Sequence, residues 1–118
     1  DDSWRRVDAY VVAARARRAA ATLRALGCRN RFVVSCVGGG DAFDALPVLY
    51  LACWRAGAAV APLDVAGSRD AELRDVIERL DAAVVVAEDA AQAARLAPLA
   101  GDRPVKLAAP LCAAAEPG

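Results

Sequence analysis

Arg55-Ala56-Gly57-Ala58-Ala59-Val60-Ala61-Pro62-Leu63-Asp64 is the stretch on which the reading of this chain turns. Gly57 can take the left-handed conformation that closes a helix, because it has no Cβ to clash there. A helix therefore stops at Ala56. The small residues of 58–61 let a short buried strand pack tightly behind it. Pro62 has no amide to donate, so sheet pairing is expected to stop at that point. Helix, glycine, strand and a Pro-Leu-Asp turn follow one another within ten residues.

Upstream, Phe32-Val33-Val34-Ser35-Cys36-Val37 is nearly all apolar and β-branched. That pattern fits a strand buried on both faces, as in a parallel sheet. Gly38-Gly39-Gly40-Asp41 makes the turn after it, and a second helix is expected over 44–56. Asp44 stands where an N-cap belongs, and Pro47 falls in the first turn, where a missing amide costs nothing. From Pro47 to Trp54 that helix carries no charge on any side. A helix apolar all round is normally buried all round. The sheet covers one face only, so the other is expected to lean on a further partner. A first helix is expected over 5–26, with Val12, Ala16, Ala19, Leu23 and Leu26 as its apolar stripe and Gly27 as its stop.

Downstream, residues 69–80 are the clearest amphipathic helix. Leu73, Val76, Ile77 and Leu80 recur at i, i+3, i+4 and i+7, while Asp70 with Arg74 and Asp75 with Arg79 set acids four residues before bases. Residues 83–87 form a third strand, 89–96 a weaker helix, and 105–108 a fourth strand. The proline- and alanine-rich end, 110–118, reads as a linker. Strand and helix alternate throughout, which gives an α/β fold in three layers: a mainly parallel, Rossmann-like sheet of about four strands, with helices on both faces.

Composition narrows the class. The 118 residues suit one domain, and 58% hydrophobic against 25% charged content excludes a disordered tail. No apolar run reaches the roughly 18–20 residues of a membrane span. The acidic start, Asp1-Asp2, is unlike a signal peptide, so a soluble, cytoplasmic protein is expected. Net charge is zero but unevenly spread. Residues 1–31 hold eight Arg against three Asp, and the remainder balances them with an excess of acids. Arg5, Arg6, Arg15, Arg17, Arg18 and Arg24 read as the solvated face of the first helix rather than a nucleic-acid surface, since only Trp4 and Tyr10 are there to stack on bases. Cys28, Cys36, Cys53 and Cys112 have no short pairing and the chain has no histidine, so no metal site is expected and the cysteines read as reduced thiols.

The 55–64 stretch resembles the second core motif of the adenylate-forming superfamily, which reads Lys/Arg-Ala-Gly-Ala-x-x-x-Pro-Leu/Ile-Asp. That superfamily comprises acyl-CoA synthetases, luciferases and peptide-synthetase adenylation domains. The resemblance extends over roughly residues 4–108. Trp4-Arg5-Arg6-Val7-Asp8 looks like the family's opening segment, and Leu23-Arg24-Ala25-Leu26-Gly27 like the end of its first helix. Arg31-Phe32-Val33-Val34 holds the place of Gly-Asp-Arg-Val-Ala-Val, and Ala71-Glu72-Leu73-Arg74 that of Glu-Arg-Leu. Two loops depart from the pattern: Val37-Gly38-Gly39-Gly40 replaces Pro-Asn/Asp-Ser/Cys, and Val65-Ala66-Gly67-Ser68 replaces a proline-rich turn.

The resemblance implies an N-terminal α/β subdomain over 1–109 and a linker over 110–118 leading toward the family's phosphate loop, which has no counterpart here. It implies a scaffold part of an ATP-dependent acid–thiol ligase, with the fragment alone incompetent. The intact enzyme would use ATP and Mg, a carboxylic acid, and CoA or a carrier-protein thiol. The remainder of that parent chain would pack on helix 44–56. Arg55, Ala56, Gly57, Pro62, Leu63 and Asp64 are structural motif residues on this reading, with none catalytic. Lys106, the only lysine, matches neither lysine motif of the family.

Gly38, Gly39 and Gly40 are the one local candidate for binding a cofactor. Free amides between a strand and a helix attract phosphate. Neither the Rossmann offset nor the Walker Gly-Lys-Ser/Thr is present, and Asp41 and Asp44 already serve the helix start, so a flexible turn is the competing reading. Asp64 reads as a turn or cap residue, and Ser35 and Ser68 lack a nucleophile setting. Two further classes stand beside the ligase: a free-standing phosphate- or nucleotide-binding module using the glycines, and a non-catalytic interaction domain presenting the apolar helix.

Overall fold

Four short strands lie side by side, all parallel: β1 (Phe32–Ser35), β2 (Ala59–Pro62), β3 (Val84–Ala87) and β4 (Val105–Leu107), in the order β2-β1-β3-β4. The computed structural model describes residues 9–38 and 45–113. Val33 sits opposite Val60 on one side and Val84 on the other, and Val86 sits opposite Lys106. The two central strands are the apolar, β-branched ones, because they alone have helices above and below and strands on both sides.

The helices α1 (Ala9–Ala25) and α2 (Leu46–Ala56) pack on one face of the sheet, and α3 (Asp70–Leu80) and α4 (Ala90–Ala100) on the other. A final turn, α5 (Ala108–Leu111), follows β4. Alternation along β1 divides the cores. Val33 and Val37 join Leu23, Val48, Leu49 and Cys53 beneath α1 and α2, while Val34 and Cys36 join Leu73, Ile77 and Leu96 beneath α3 and α4.

Each helix end has a local cause. Gly57, at φ 75° and ψ 25°, closes α2 with its N–H on the Cys53 and Trp54 carbonyls. The Arg69 N–H donates to the Glu72 carboxylate at 2.8 Å where α3 begins. Asp89 caps α4 by accepting the Gln92 N–H at 2.8 Å.

Several features differ from the sequence expectation. β2, expected to be buried, is an edge strand whose residues are all exposed or half-buried. Its pairing ends at Pro62 as expected, the Leu63 N–H closing the last pair by donating to the Ser35 carbonyl at 2.8 Å. Parallel ladders use alternate residues, and Ala59 and Leu63 face β1, so the missing amide of Pro62 falls on the open edge. α4 runs four residues past Leu96 and through Pro98. Ala94, whose carbonyl loses its partner to that proline, is exposed to water, while Leu99 and Ala100 gain burial. Of the end expected to be linker, only residues 110–113 are described: the chain turns through α5 and Cys112 joins the first core at 4% exposure. The expected cap Asp44 and the start of the first helix at 5–8 lie outside the described residues.

α2 is covered on one side only. Val48, Leu49, Ala52, Cys53 and Ala56 are buried against the sheet and α1, yet Tyr50, Leu51 and Trp54 are 45%, 38% and 79% exposed.

Candidate functional site

In an open parallel sheet the place to look is the crevice at the carboxyl ends of the strands, where successive connections leave for opposite faces. Here the chain leaves β1 for α2 on one face and β3 for α4 on the other. An open crevice of about 300 Å³ lies at that end, lined by Cys36, Gly38, Leu63, Asp64, Glu88 and Gln92 among others. The motif thus ends in the wall of the crevice.

The motif residues are tied to neighbours outside the motif. The Arg55 carbonyl accepts from the Arg24 guanidinium at 3.1 Å, tying the C-terminal ends of α1 and α2. Ala56 is buried, and the Gly57 carbonyl accepts the Asn30 N–H at 2.8 Å. The Asp64 carboxylate accepts the Gly67 N–H at 3.1 Å and so closes the turn after β2. A Cβ on Gly67 would collide with that carboxylate, which explains a glycine at this position.

Arg95 fixes the same turn from α4. Its Nε meets Asp70 at 2.9 Å, and its two terminal nitrogens donate to the Val65 and Ser68 carbonyls at 2.8 Å each. Two anchors to the loop and one to the first residue of α3 hold the turn against α4. Sequence reasoning missed this residue, because its partners lie 25 to 30 positions away and no local pattern links them.

Of the glycine candidates, Gly39 and Gly40 lie outside the described residues. The Gly38 N–H donates to the Glu88 carboxylate at 3.0 Å. Glu88 in turn is placed by Gln92, whose side-chain oxygen accepts the Glu88 N–H at 2.7 Å. The amide that a phosphate would need thus faces a carboxylate of this chain, and the lining residues carry Asp64 and Glu88 but no cation. Asp81, Glu88 and Asp89, which flank β3, all hold bonds. Asp81 accepts from Arg103 at 3.0 Å and pairs with Arg31 at 3.4 Å, although it remains largely exposed.

Nucleophile chemistry finds no support in the crevice. Burial pushes the Cys36 thiol up to about 12, so it stays protonated at neutral pH. Ser35 is buried, and among the described residues its hydroxyl has no hydrogen-bond partner to activate it. All four cysteines are free and buried. Among the described residues no group of His, Cys, Asp and Glu is arranged to hold a metal ion, and no helix is long and apolar enough to cross a membrane. What the geometry provides is a braced loop and a shaped wall.

The family model for AMP-binding enzymes matches residues 2–115, and the chain belongs to that family. Among solved structures it is similar to apo MatB from Rhodopseudomonas palustris, at 27% identity and a TM-score of 0.73, over 86% of this chain and 20% of that one. It is similar to VinN at 26% identity and a TM-score of 0.73, over 85% of this chain and 26% of that one. A fatty acyl-adenylate ligase structure, from work on the Escherichia coli and Legionella pneumophila enzymes, matches 96% of this chain and 21% of its own at a TM-score of 0.75. Its 19% identity makes that a likeness of fold. No curated protein sequence matches the chain. It therefore spans about a fifth to a quarter of the solved chains it resembles.

Proposed function

We propose that this chain is the N-terminal scaffold subdomain of an ATP-dependent ligase that activates a carboxylic acid. In that reaction the acid's carboxylate attacks the α-phosphorus of ATP, forming an acyl-adenylate and releasing pyrophosphate. A thiol, of CoA or of a carrier protein, then takes the acyl group and AMP leaves. The observation that carries this reading is the family match across residues 2–115, joined to the motif at 55–64 that ends in the switch-point crevice. A structure of ATP-bound MatB, 28% identical over 81% of this chain, supports ATP as the nucleotide. Mg and a cytoplasmic setting belong to the same proposal.

The role of the fragment is mechanical on this reading. Arg95, Asp64 and Gly67 hold the loop after β2 within narrow limits, and a rigid loop can position catalytic groups supplied by other parts of the enzyme. A free-standing nucleotide module at Gly38 is the weaker reading, because a bound phosphate would have to displace Glu88 and sit among carboxylates.

The test is ATP–pyrophosphate exchange by the intact protein with Mg, across a panel that includes fatty acids and the aspartate ligands found in VinN structures. Acid-dependent exchange is the expected result. Exchange with no acid in a broad panel would overturn the ligase assignment.

A further inference from the structure

The turns that follow α1 and α2 meet at one corner of the first core and are laced together. The Arg24 guanidinium donates to the Arg55 carbonyl at 3.1 Å, the Asn30 N–H to the Gly57 carbonyl at 2.8 Å, and the Ala59 N–H to the Arg31 carbonyl at 3.0 Å. Cys28 stands in the first of these turns, with its N–H on the Leu23 carbonyl at 3.1 Å. Cys53 stands in the last turn of α2, and its carbonyl accepts the Ala58 N–H at 2.8 Å. Each side chain is fully buried, both belong to the same apolar cluster, and both thiols are free. The lacing thus holds two thiols from different helix ends in one dry corner, and the crevice uses neither.

The two sulfurs feel one another's charge. Burial pushes the Cys53 thiol up to about 12, and a thiolate at Cys28 or at Cys112 adds to the rise. Burial raises Cys28 as well, but there the Arg31 guanidinium works in the opposite direction, so Cys28 is the readier to ionise. We propose that Cys28 and Cys53 are a redox couple: a hydroperoxide closes this dithiol into a disulfide that staples α1 to α2. The Cys28 thiolate attacks the peroxide. An S–O bond forms, the O–O bond breaks, and the departing alkoxide takes up a proton to leave as an alcohol. The Cys53 thiol, giving up its proton, then attacks the Cys28 sulfur. The S–S bond forms, the S–O bond breaks, and hydroxide leaves with that proton as water. The two thiols give up two electrons and one peroxide takes them. Thiolate is scarce at neutral pH in a dry core, so closure answers sustained peroxide rather than a trace. The couple belongs to the layer of α1 and α2 and stands whether or not the intact protein is a ligase.

Hydrogen peroxide treatment of the intact, folded protein tests it. Free thiols are then blocked with a maleimide in urea, and the products are located by mass spectrometry of a non-reduced chymotryptic digest. Cuts at Phe43 and Tyr50 part Cys36 from Cys53 in that digest. The expected product is a Cys28–Cys53 link at least 10-fold above any other pairing of the four cysteines, reversed by dithiothreitol. Oxidation should also raise the urea midpoint, because the link constrains the unfolded chain; a lowered midpoint would overturn the staple. In Cys53→Ala the sulfenic acid loses its resolving thiol, so dimedone, which traps sulfenic acids, should label Cys28. In Cys28→Ala it should leave Cys53 unlabelled. A dominant Cys53–Cys112 link would overturn the pairing. So would oxidation of Cys28 to a sulfinic acid with no link, or a link that forms only in urea. The map of the parent protein decides the pairing even where a variant does not fold.

Discussion

The layer of α1 and α2 and the layer of α3 and α4 cover the same sheet, and their inner faces are equally dry. Leu49 and Cys53 on α2 and Leu73 and Ile77 on α3 are all fully buried. Their outer faces have nothing in common. α3 turns Asp70, Glu72, Asp75 and Arg79 outward in ion pairs, whereas α2 turns out Tyr50, Leu51 and Trp54. Both helices are 11 residues long and both follow a strand of the same sheet. The difference therefore belongs to the surroundings each was selected for. An inner face records the sheet beneath it; an outer face records what lies beyond.

If the inner faces are equivalent, deleting a large side chain from either should cost about the same. Leu49→Ala and Ile77→Ala are each expected to lose about 2–5 kcal/mol, the range for opening a cavity in a packed core. Urea unfolding of each variant measures this. A loss below about 1 kcal/mol at Leu49 would break the comparison, since α2 would then not be anchored by the sheet.

Alkaline pH probes the two cores next. Burial pushes Cys53, beneath α2, and Cys36, beneath α3 and α4, up to about 12, against an ordinary 9.0. The folded protein holds these protons while the unfolded chain gives them up. Stability is therefore complete below pH 9 and falls as pH rises from about 9 toward about 12. The slope is about 1.4 kcal/mol per pH unit for each thiol. Burial also pushes Cys112 up, to about 11, so its share ends sooner. Thermal midpoints between pH 8 and 10.5 should show the fall, and Cys36→Ala should flatten it by one thiol. A midpoint flat over that range would mean that the cores open to hydroxide.

How much of this the sequence disclosed follows from the range of the interaction. The helix stop at Gly57, the buried strand of β3 and the amphipathic stripe of α3 depend on neighbours within a few residues, and all stand as read. The α/β alternation and its parallel sheet follow from the same local patterns. Arg95 reaching Val65 and Ser68, and Glu88 meeting Gly38 fifty positions away, depend on the strand order β2-β1-β3-β4 and carry no local signature. The run through Pro98 was hidden because Leu99 gains its burial from a tertiary contact. Of the site, the motif string was legible and the wall it helps to build was not.

The smallest effect sharpens the comparison most. Asp75 and Arg79 pair at 2.9 Å on α3 with side chains 55% and 79% exposed. Exposed pairs of this spacing contribute about 0.3–0.5 kcal/mol, because water screens the attraction and ordering two long side chains opposes it. Asp75→Ala should therefore move the urea midpoint barely at all. The double change Asp75→Leu with Arg79→Leu should leave folding stability nearly as it was while giving α3 an outer face like that of α2. Light scattering should then show association at protein concentrations where the parent stays dispersed. A loss above about 1.5 kcal/mol for Asp75→Ala would mean that the charges of α3 hold the fold itself, and the contrast in outer faces would no longer report on what each layer meets.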